Sequence, residues 1–277
     1  MQRINTGRLR VVIGFLERVG LERVLELEER DPQYLAVGRV SQTHGVGGAS
    51  VLAALNALVS YRLAMRGEEW WACWSRLVSG RRCSPCSIGC LCSVEKSFLE
   101  ECRGSIVQRE AKIRRVLRVC SGARSLLGDL CRRPLRVFES GGWLVEGLAR
   151  VLRAKSTSKT IVFAAKMAYY AARQEWGRRP APWDVEVPVD VRVACFLYST
   201  GVVEASGYRD LVRAPRTAQE AVRTIAEETG IPPLNLDTVF WLSGWMPRDL
   251  DLAEAEERLS ELLGIRAEGV FVKSCRG

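Results

Sequence analysis

Long apolar runs are missing from this 277-residue chain. The longest, Ile161 to Ala172, is interrupted by Lys166 and is too short to span a bilayer. Near the N-terminus, Val11 to Leu16 is too brief for a secretory signal. Histidine is nearly absent: the single one, His44, sits in a Gln42-Thr43-His44-Gly45 segment that reads as a loop. There is no Ser/His/Asp constellation, no phosphate-cradling P-loop and no dinucleotide-binding glycine fingerprint. Internal repeats and low-complexity tracts are lacking too. The expectation is a soluble, cytoplasmic protein with no membrane partner. Its 47% hydrophobic and 26% charged residues suit one large or two modest domains and argue against disorder.

Lysine is also scarce, six of 41 basic residues, yet Lys155, Lys159 and Lys166 fall within twelve positions. A net charge of +9 favours a polyanionic partner such as nucleic acid. The surplus is uneven. Between Arg103 and Arg136 there are ten basic residues and two acids, Glu110 and Asp129, whereas the last thirty residues lean acidic. The basic segment reads either as a solvated helix face or as a phosphate-tracking surface.

Cysteine is abundant, with ten. Cys83, Cys86, Cys90 and Cys92 form a C-x2-C-x3-C-x-C cluster, flanked by Cys73 and Cys102. Four thiolates so close could hold zinc or an iron–sulfur cluster, although the spacing matches neither paired zinc knuckles nor a ferredoxin run. A disulfide-stapled or merely cysteine-tolerant loop is the other reading.

Apolar spacing predicts helices nearly throughout, an all-α chain. They run Arg8–Leu27, Ser50 to about Met65, Glu68–Val78, two basic helices broken near Ser121-Gly122, Trp143–Leu152, Thr160–Arg173, Val191–Tyr198, Thr217–Thr229, Leu236–Leu242 and Leu252–Leu263. Gly45 to Gly48 reads as a loop, Ser79 to Cys92 as an irregular insertion, and Gly269 to Val272 as a strand or extended packing. The polar link Ala154 to Ser158 between two amphipathic helices outlines a helix–hairpin–helix.

Ser158 stands in an N-cap position, which puts Lys159 in the first turn of a helix. There the positive end of the helix dipole favours the free amine that a nucleophile needs. Phe163 and Lys166 lie four and seven residues on, along the same face, so nucleophile, aromatic plate and second cation would suit a flat ring. Spacing alone equally allows Phe163 as core and Lys166 snorkelling to solvent. Asp190 N-caps the helix that follows a proline-rich link.

That order of hairpin, Lys-Thr, proline-rich link and Pro-Val-Asp resembles the helix–hairpin–helix DNA glycosylase superfamily. Ser158-Lys159-Thr160 takes the place of its G-x-K-T, and Val187-Pro188-Val189-Asp190 is similar to its Pro-Val-Asp segment. The hairpin lacks the usual Gly-x-Gly and the stretch from Lys159 to Asp190 is long. Both departures fit the archaeal 8-oxoguanine (GO) glycosylases with lyase activity. Asn56 to Tyr61, Gly67 to Trp71, Lys159 to Met167, and Asp237 with Trp241 look like that branch too. Together these stretches cover most of the chain outside residues 79–135.

The resemblance implies two helical domains with the active site in the cleft between them. One is a bundle over 42–177 with a Cys-rich insertion at about 79–102; the other joins 1–41 to 178–277. It implies Lys159 as the Schiff-base lysine and Asp190 as the catalytic aspartate. Phe163 and Trp241 would sandwich the flipped base, with Gln33, Trp71, Lys166 and Asp237 bonding the oxidised purine. Lacking hairpin glycines, Lys155, Ser156, Thr157 and Ser158 would contact the DNA backbone. The superfamily's iron–sulfur loop would follow Asp190, where only Cys195 and Cys275 occur, so no cofactor is expected. The implied enzyme is a monomeric, nucleoid-associated repair protein that excises 8-oxoguanine from double- or single-stranded DNA and cuts the abasic site. Rival readings are the same fold acting on another damaged base, a non-catalytic nucleic-acid-binding protein built around a Cys-bound metal, and a Schiff-base lyase for a small carbonyl compound.

Overall fold

The computed structural model describes residues 2–276. They form two compact units, one from both ends of the chain, up to Glu29 and from Glu186, the other from Arg30–Val185. The first begins with β1 (Arg3–Ile4) and α1 (Thr6–Glu28). The second holds α2 (Pro32–Val59), α3 (Gly67–Ser79), α4 (Ile88–Glu101), α5 (Arg109–Gly122), α6 (Arg124–Arg132), α7 (Arg136–Glu139), α8 (Gly142–Leu152) and α9 (Lys159–Trp176). The chain returns to the first with α10 (Val191–Ser199), β2 (Val203–Glu204), α11 (Tyr208–Arg213), α12 (Arg216–Thr229), α13 (Pro233–Ser243), α14 (Met246–Asp249) and α15 (Leu252–Leu263). The fold is all-α: the pairing of β1 with β2 is the only sheet among the described residues. No helix among them is long and apolar enough to cross a membrane.

In the Arg30–Val185 unit, α2 is the axis. Asp31 caps it, its side chain accepting the Gln33 backbone N–H at 2.8 Å, and Pro32 fits the first turn. The boundary expected near residue 42 falls inside this helix. The glycine run read as a loop is a break of a single residue: Gly45 adopts a non-helical φ 66°, ψ 167°, and two helical segments meet there at a kink. A Cβ on Gly47 would run into the carbonyl oxygen of Cys131, so only glycine lets the two backbones meet. His44 is therefore helical, with Nε2 3.2 Å from the Val78 carbonyl. From Ala49 to Val59 every residue is buried, as a helix apolar all round must be. It ends at Val59, short of the expected Met65. Against it lies α9, whose residues from Ala164 to Arg173 are likewise buried.

The Cys-rich segment is less irregular than expected. Its loop stops at Ser87, where α4 begins. The four clustered cysteines are a disulfide framework, correcting the metal reading: Cys83 pairs with Cys90, Cys86 with Cys131 and Cys92 with Cys120. At about 100° per residue, Cys90 and Cys92 leave α4 in nearly opposite directions and cannot converge on one ion. Cys92 reaches α5, while Cys86 reaches α6. Cys73 and Cys102 keep their thiols, with sulfurs 2.9 Å apart.

In the other unit, α1 packs on α12 and α13, and a stacked Phe196–Phe240 pair, 4.6 Å between centroids, joins α10 to α13. Buried Glu28 accepts from Asn235 Nδ2 at 2.8 Å and Thr238 Oγ1 at 3.3 Å, tying α13 to the end of α1. Cys195 and Cys275 close a disulfide. Where a strand or extended packing is expected over Gly269 to Val272, Gly269 lies in a turn at φ 73°, and the Val272 N–H donates to the Ser199 carbonyl at 2.8 Å.

Candidate active site

The helix that leads into the hairpin, α8, is defined at both ends. Asp184, from the proline-rich link, accepts from the Gly141 and Gly142 N–H groups at 2.9 Å and from Ser140 Oγ at 2.5 Å, capping α8. Burial pushes the Asp184 carboxyl up, but these bonds outweigh it and hold it below its ordinary range. At the other end of α8, Arg153 takes a left-handed conformation, φ 51°, where glycine is usual. Lys155, Ser156 and Thr157 are exposed, and the Ser158 N–H closes the turn onto the Lys155 carbonyl at 2.9 Å.

Ser158 is the N-cap of α9, although its hydroxyl makes no capping bond; its carbonyl takes the N–H groups of Ile161 and Val162. Lys159 is the first helical residue and is half-buried. Arg115 on α5 donates to Thr160 Oγ1 at 3.0 Å, fixing this first turn from outside. Burial, above all, holds the Arg115 guanidinium below its ordinary pKa.

Along α9, exposure falls from half-buried Lys159 and Phe163 to fully buried Lys166. The snorkelling reading of Lys166 is thus corrected: its Nζ lies 5.2 Å from the centre of the Tyr170 ring. Tyr170 in turn donates to Asp31 Oδ2 at 2.9 Å, beside the Asp31–Gln33 cap, so Gln33 and Lys166 share one neighbourhood. Higher on the stripe, Phe163 meets Trp71 edge to face at 5.8 Å and 88°. Trp71 leans on Trp74 at 5.1 Å, and Trp74 Nε1 donates to Glu95 Oε2 at 2.9 Å. Burial pushes the Glu95 carboxyl up to about 8, against the pull of the Trp74 bond. Trp70 takes no part in this row; it bonds Ser60 Oγ and packs on Phe98.

The other candidates belong to the terminal unit. Asp190 caps α10, its Oδ1 accepting from the Arg192 and Val193 N–H groups at 2.8 and 3.0 Å. The Arg192 guanidinium sits 3.9 Å above the Trp241 ring. Asp237, almost fully buried, precedes Trp241 by one turn of α13. A Cβ on Gly244 would collide with the Arg192 carbonyl, so glycine allows α13 to end against the start of α10. Among the described residues, no three metal-ligating side chains converge.

Sequence reasoning passed over Asp31, Tyr170, Glu95, Asp184 and Arg115 as supports. Asp31-Pro32 at least signals a helix start. Arg115 is visible only as one of many basic residues, and Glu95 and Asp184 carry no local signal.

A family model described as AGOG: N-glycosylase/DNA lyase matches residues 13–271. An N-glycosylase/DNA lyase of Aeropyrum pernix is 43% identical over 264 residues, 95% of this chain and 91% of the relative. One from Pyrobaculum aerophilum is 36% identical, covering 86% of each chain. The crystal structure of Pa-AGOG, an 8-oxoguanine DNA glycosylase from Pyrobaculum aerophilum complexed with 8-oxoguanosine, is similar with a TM-score of 0.78. Identity there is 32%, over 98% of this chain and 99% of that one.

Proposed function

The chain belongs to the AGOG family of N-glycosylase/DNA lyases, and from that premise we propose that it excises 8-oxoguanine from DNA through a Schiff base on Lys159. The observation that carries this reading is the position of Lys159. It is the first residue of the helix after the hairpin, partly open to solvent, at the head of a stripe that continues through Phe163 and Lys166. A relative of the same fold has been solved with 8-oxoguanosine bound.

A base inside a duplex is out of reach, so the nucleotide must be flipped, at a cost of a few kcal/mol in stacking and pairing. Stacking on Phe163 and Trp241 offsets part of it, about 1–3 kcal/mol per base by analogy with single-strand binders. Gln33, Trp71, Lys166 and Asp237 supply the polar contacts to the oxidised ring. Selection against guanine rests on the proton at N7, for which the pocket presents an acceptor that guanine leaves unpaired.

The Lys159 amine then forms a bond to the anomeric carbon while the glycosidic C–N bond breaks. Its electron pair leaves with the base, which takes up a proton. Positive charge builds on the sugar during this step, and the Asp190 carboxylate stabilises it and accepts the proton lost from the lysine nitrogen. Ring opening gives the imine. Loss of a C2′ proton expels the 3′ phosphate and nicks the strand. Lys155, Ser156 and Ser158 hold the backbone through the turn. The reaction draws on no cofactor, and the enzyme works as a cytoplasmic monomer on double- or single-stranded DNA.

Borohydride trapping on a duplex with one 8-oxoguanine tests this reading, comparing the parent, Lys159→Gln and Asp190→Asn. A covalent adduct with the parent and none with Lys159→Gln is expected, with Asp190→Asn slowed by about 10²–10⁴-fold. Absence of an adduct from folded parent protein, on this duplex and on an abasic one, would sink the lyase reading.

A further inference from the structure

Beside the hairpin, on the α5 side, lies an open hollow of about 580 Å³ lined by Arg118, Ser121, Gly122, Arg150, Val151 and Arg153. Three of its six lining residues are arginines, and none is acidic. They come from three places: the last third of α5, the last turn of α8, and the residue that ends α8. All three are exposed. Their guanidinium groups form no ion pair and no hydrogen bond among the described residues. That sets them apart from Arg3, Arg258 and Arg266 of the terminal unit, which pair with Glu204, Glu261 and Glu268. Arg118 also lies near enough to Arg115 for like-charge repulsion.

The backbone at Arg153 points the same way. Its left-handed conformation, φ 51°, is one that glycine adopts without strain and a side chain does not. Helix ends of this kind usually take glycine. Here an arginine stands in the strained position, and the turn that follows leads directly to Lys155. Stability alone would select against that choice. A planar guanidinium presented beside a strand-binding turn suits bidentate bonding to a phosphate.

We propose that Arg118, Arg150 and Arg153 form a phosphate-binding subsite that extends the hairpin's grip on the DNA backbone to the face of α5. This rests on the reading of the protein as a DNA glycosylase and names which part of its basic surface carries the strand. An open hollow suits a backbone running past it, where an enclosed pocket would not. The three side chains contribute affinity and register without reading sequence.

The experiment is a salt titration of duplex binding by three proteins: the parent, the hollow triple variant R118A/R150A/R153A, and a control R3A/R258A/R266A. The control removes the same charge from ion-paired positions. Each lost phosphate contact lowers the slope of log K against log salt by about 1. The hollow triple is expected to lose about 2–3 from the slope and to bind about 10–100-fold more weakly at moderate salt, and the control to lose neither. Equal slopes in parent and hollow triple, or equal losses in both triples, would overturn the subsite. Arg153→Gly covers the case of a triple variant that folds poorly. It should melt no lower than the parent and still bind DNA more weakly, whereas undiminished binding would remove Arg153 from the proposal. Borohydride trapping by the parent on an abasic duplex checks the underlying reading separately, since it fails only if the glycosylase assignment fails.

Discussion

Residues 83–131 are stitched by three disulfides, closing separations of 7, 45 and 28 residues, while α8, the hairpin and α9 contain no cysteine at all. The two regions belong to one unit and lean on the same central helix, α2. One holds its shape by covalent links across loops and short helices. The other relies on burial of α9 along α2, on an Asp184 cap and on the Arg115–Thr160 bond. Covalent stiffening and the proposed chemistry thus fall on different stretches of chain. The stapled region adds order without placing a cysteine in the hairpin or α9, and the turn at the head of α9 stays exposed. They meet along the row Glu95–Trp74–Trp71–Phe163, which runs from α4 to α9, and at the Arg115–Thr160 bond.

The sharpest way to separate the regions is to remove the proposed nucleophile. Lys159→Gln should lose base release and strand cleavage to background, about 10³-fold or more, with an unchanged melting temperature. A melting temperature that falls with it would mean Lys159 is a packing residue. Reduction of the disulfides should do the reverse. Each of the three crosslinks, and the Cys195–Cys275 link that the reductant also opens, stabilises by roughly 2–4 kcal/mol, so thermal melts with and without reductant should differ by tens of degrees, while initial activity well below the melting range persists.

A smaller effect tests the connecting row. The folded chain keeps the Glu95 proton until about pH 8, whereas the unfolded chain loses it near the ordinary value of 4.5. Folding therefore takes up a proton between those values, and stability falls as pH rises through that window, by on the order of 1.4 kcal/mol per unit. Above it the penalty is constant. Glu95→Gln cannot ionise and should gain on the parent steadily from pH 5 to 8 in denaturant titrations. Parallel curves for the two proteins would contradict the buried, protonated carboxyl. Smallest of all, Asp184→Ala removes the cap of α8 and should cost about 0.5–2 kcal/mol in the same titrations.

The reactive region was legible in sequence because its signals are local. A cap, a lysine and an apolar stripe at helical spacing specify α9 within one residue at its start, and Asp190 before Val191 specifies α10. The stapled region was not, since cysteine spacing cannot say which sulfur meets which once helices turn the side chains apart. The glycine run at Gly45 to Gly48 does interrupt α2, but at Gly45 alone, and the chain resumes its helix at once. Gly47 answers the backbone of Cys131, a contact distant in sequence. Lys166 read two ways until the burial of α9 was visible, and the bond from Trp74 to Glu95 joins residues 21 apart with no pattern between them.

The central claim is that Lys159 is the nucleophile, and peptide mapping of the borohydride-reduced adduct tests it most directly. Mass spectrometry should find the sugar remnant on Lys159. A remnant on Lys166 or Lys155 would contradict the account.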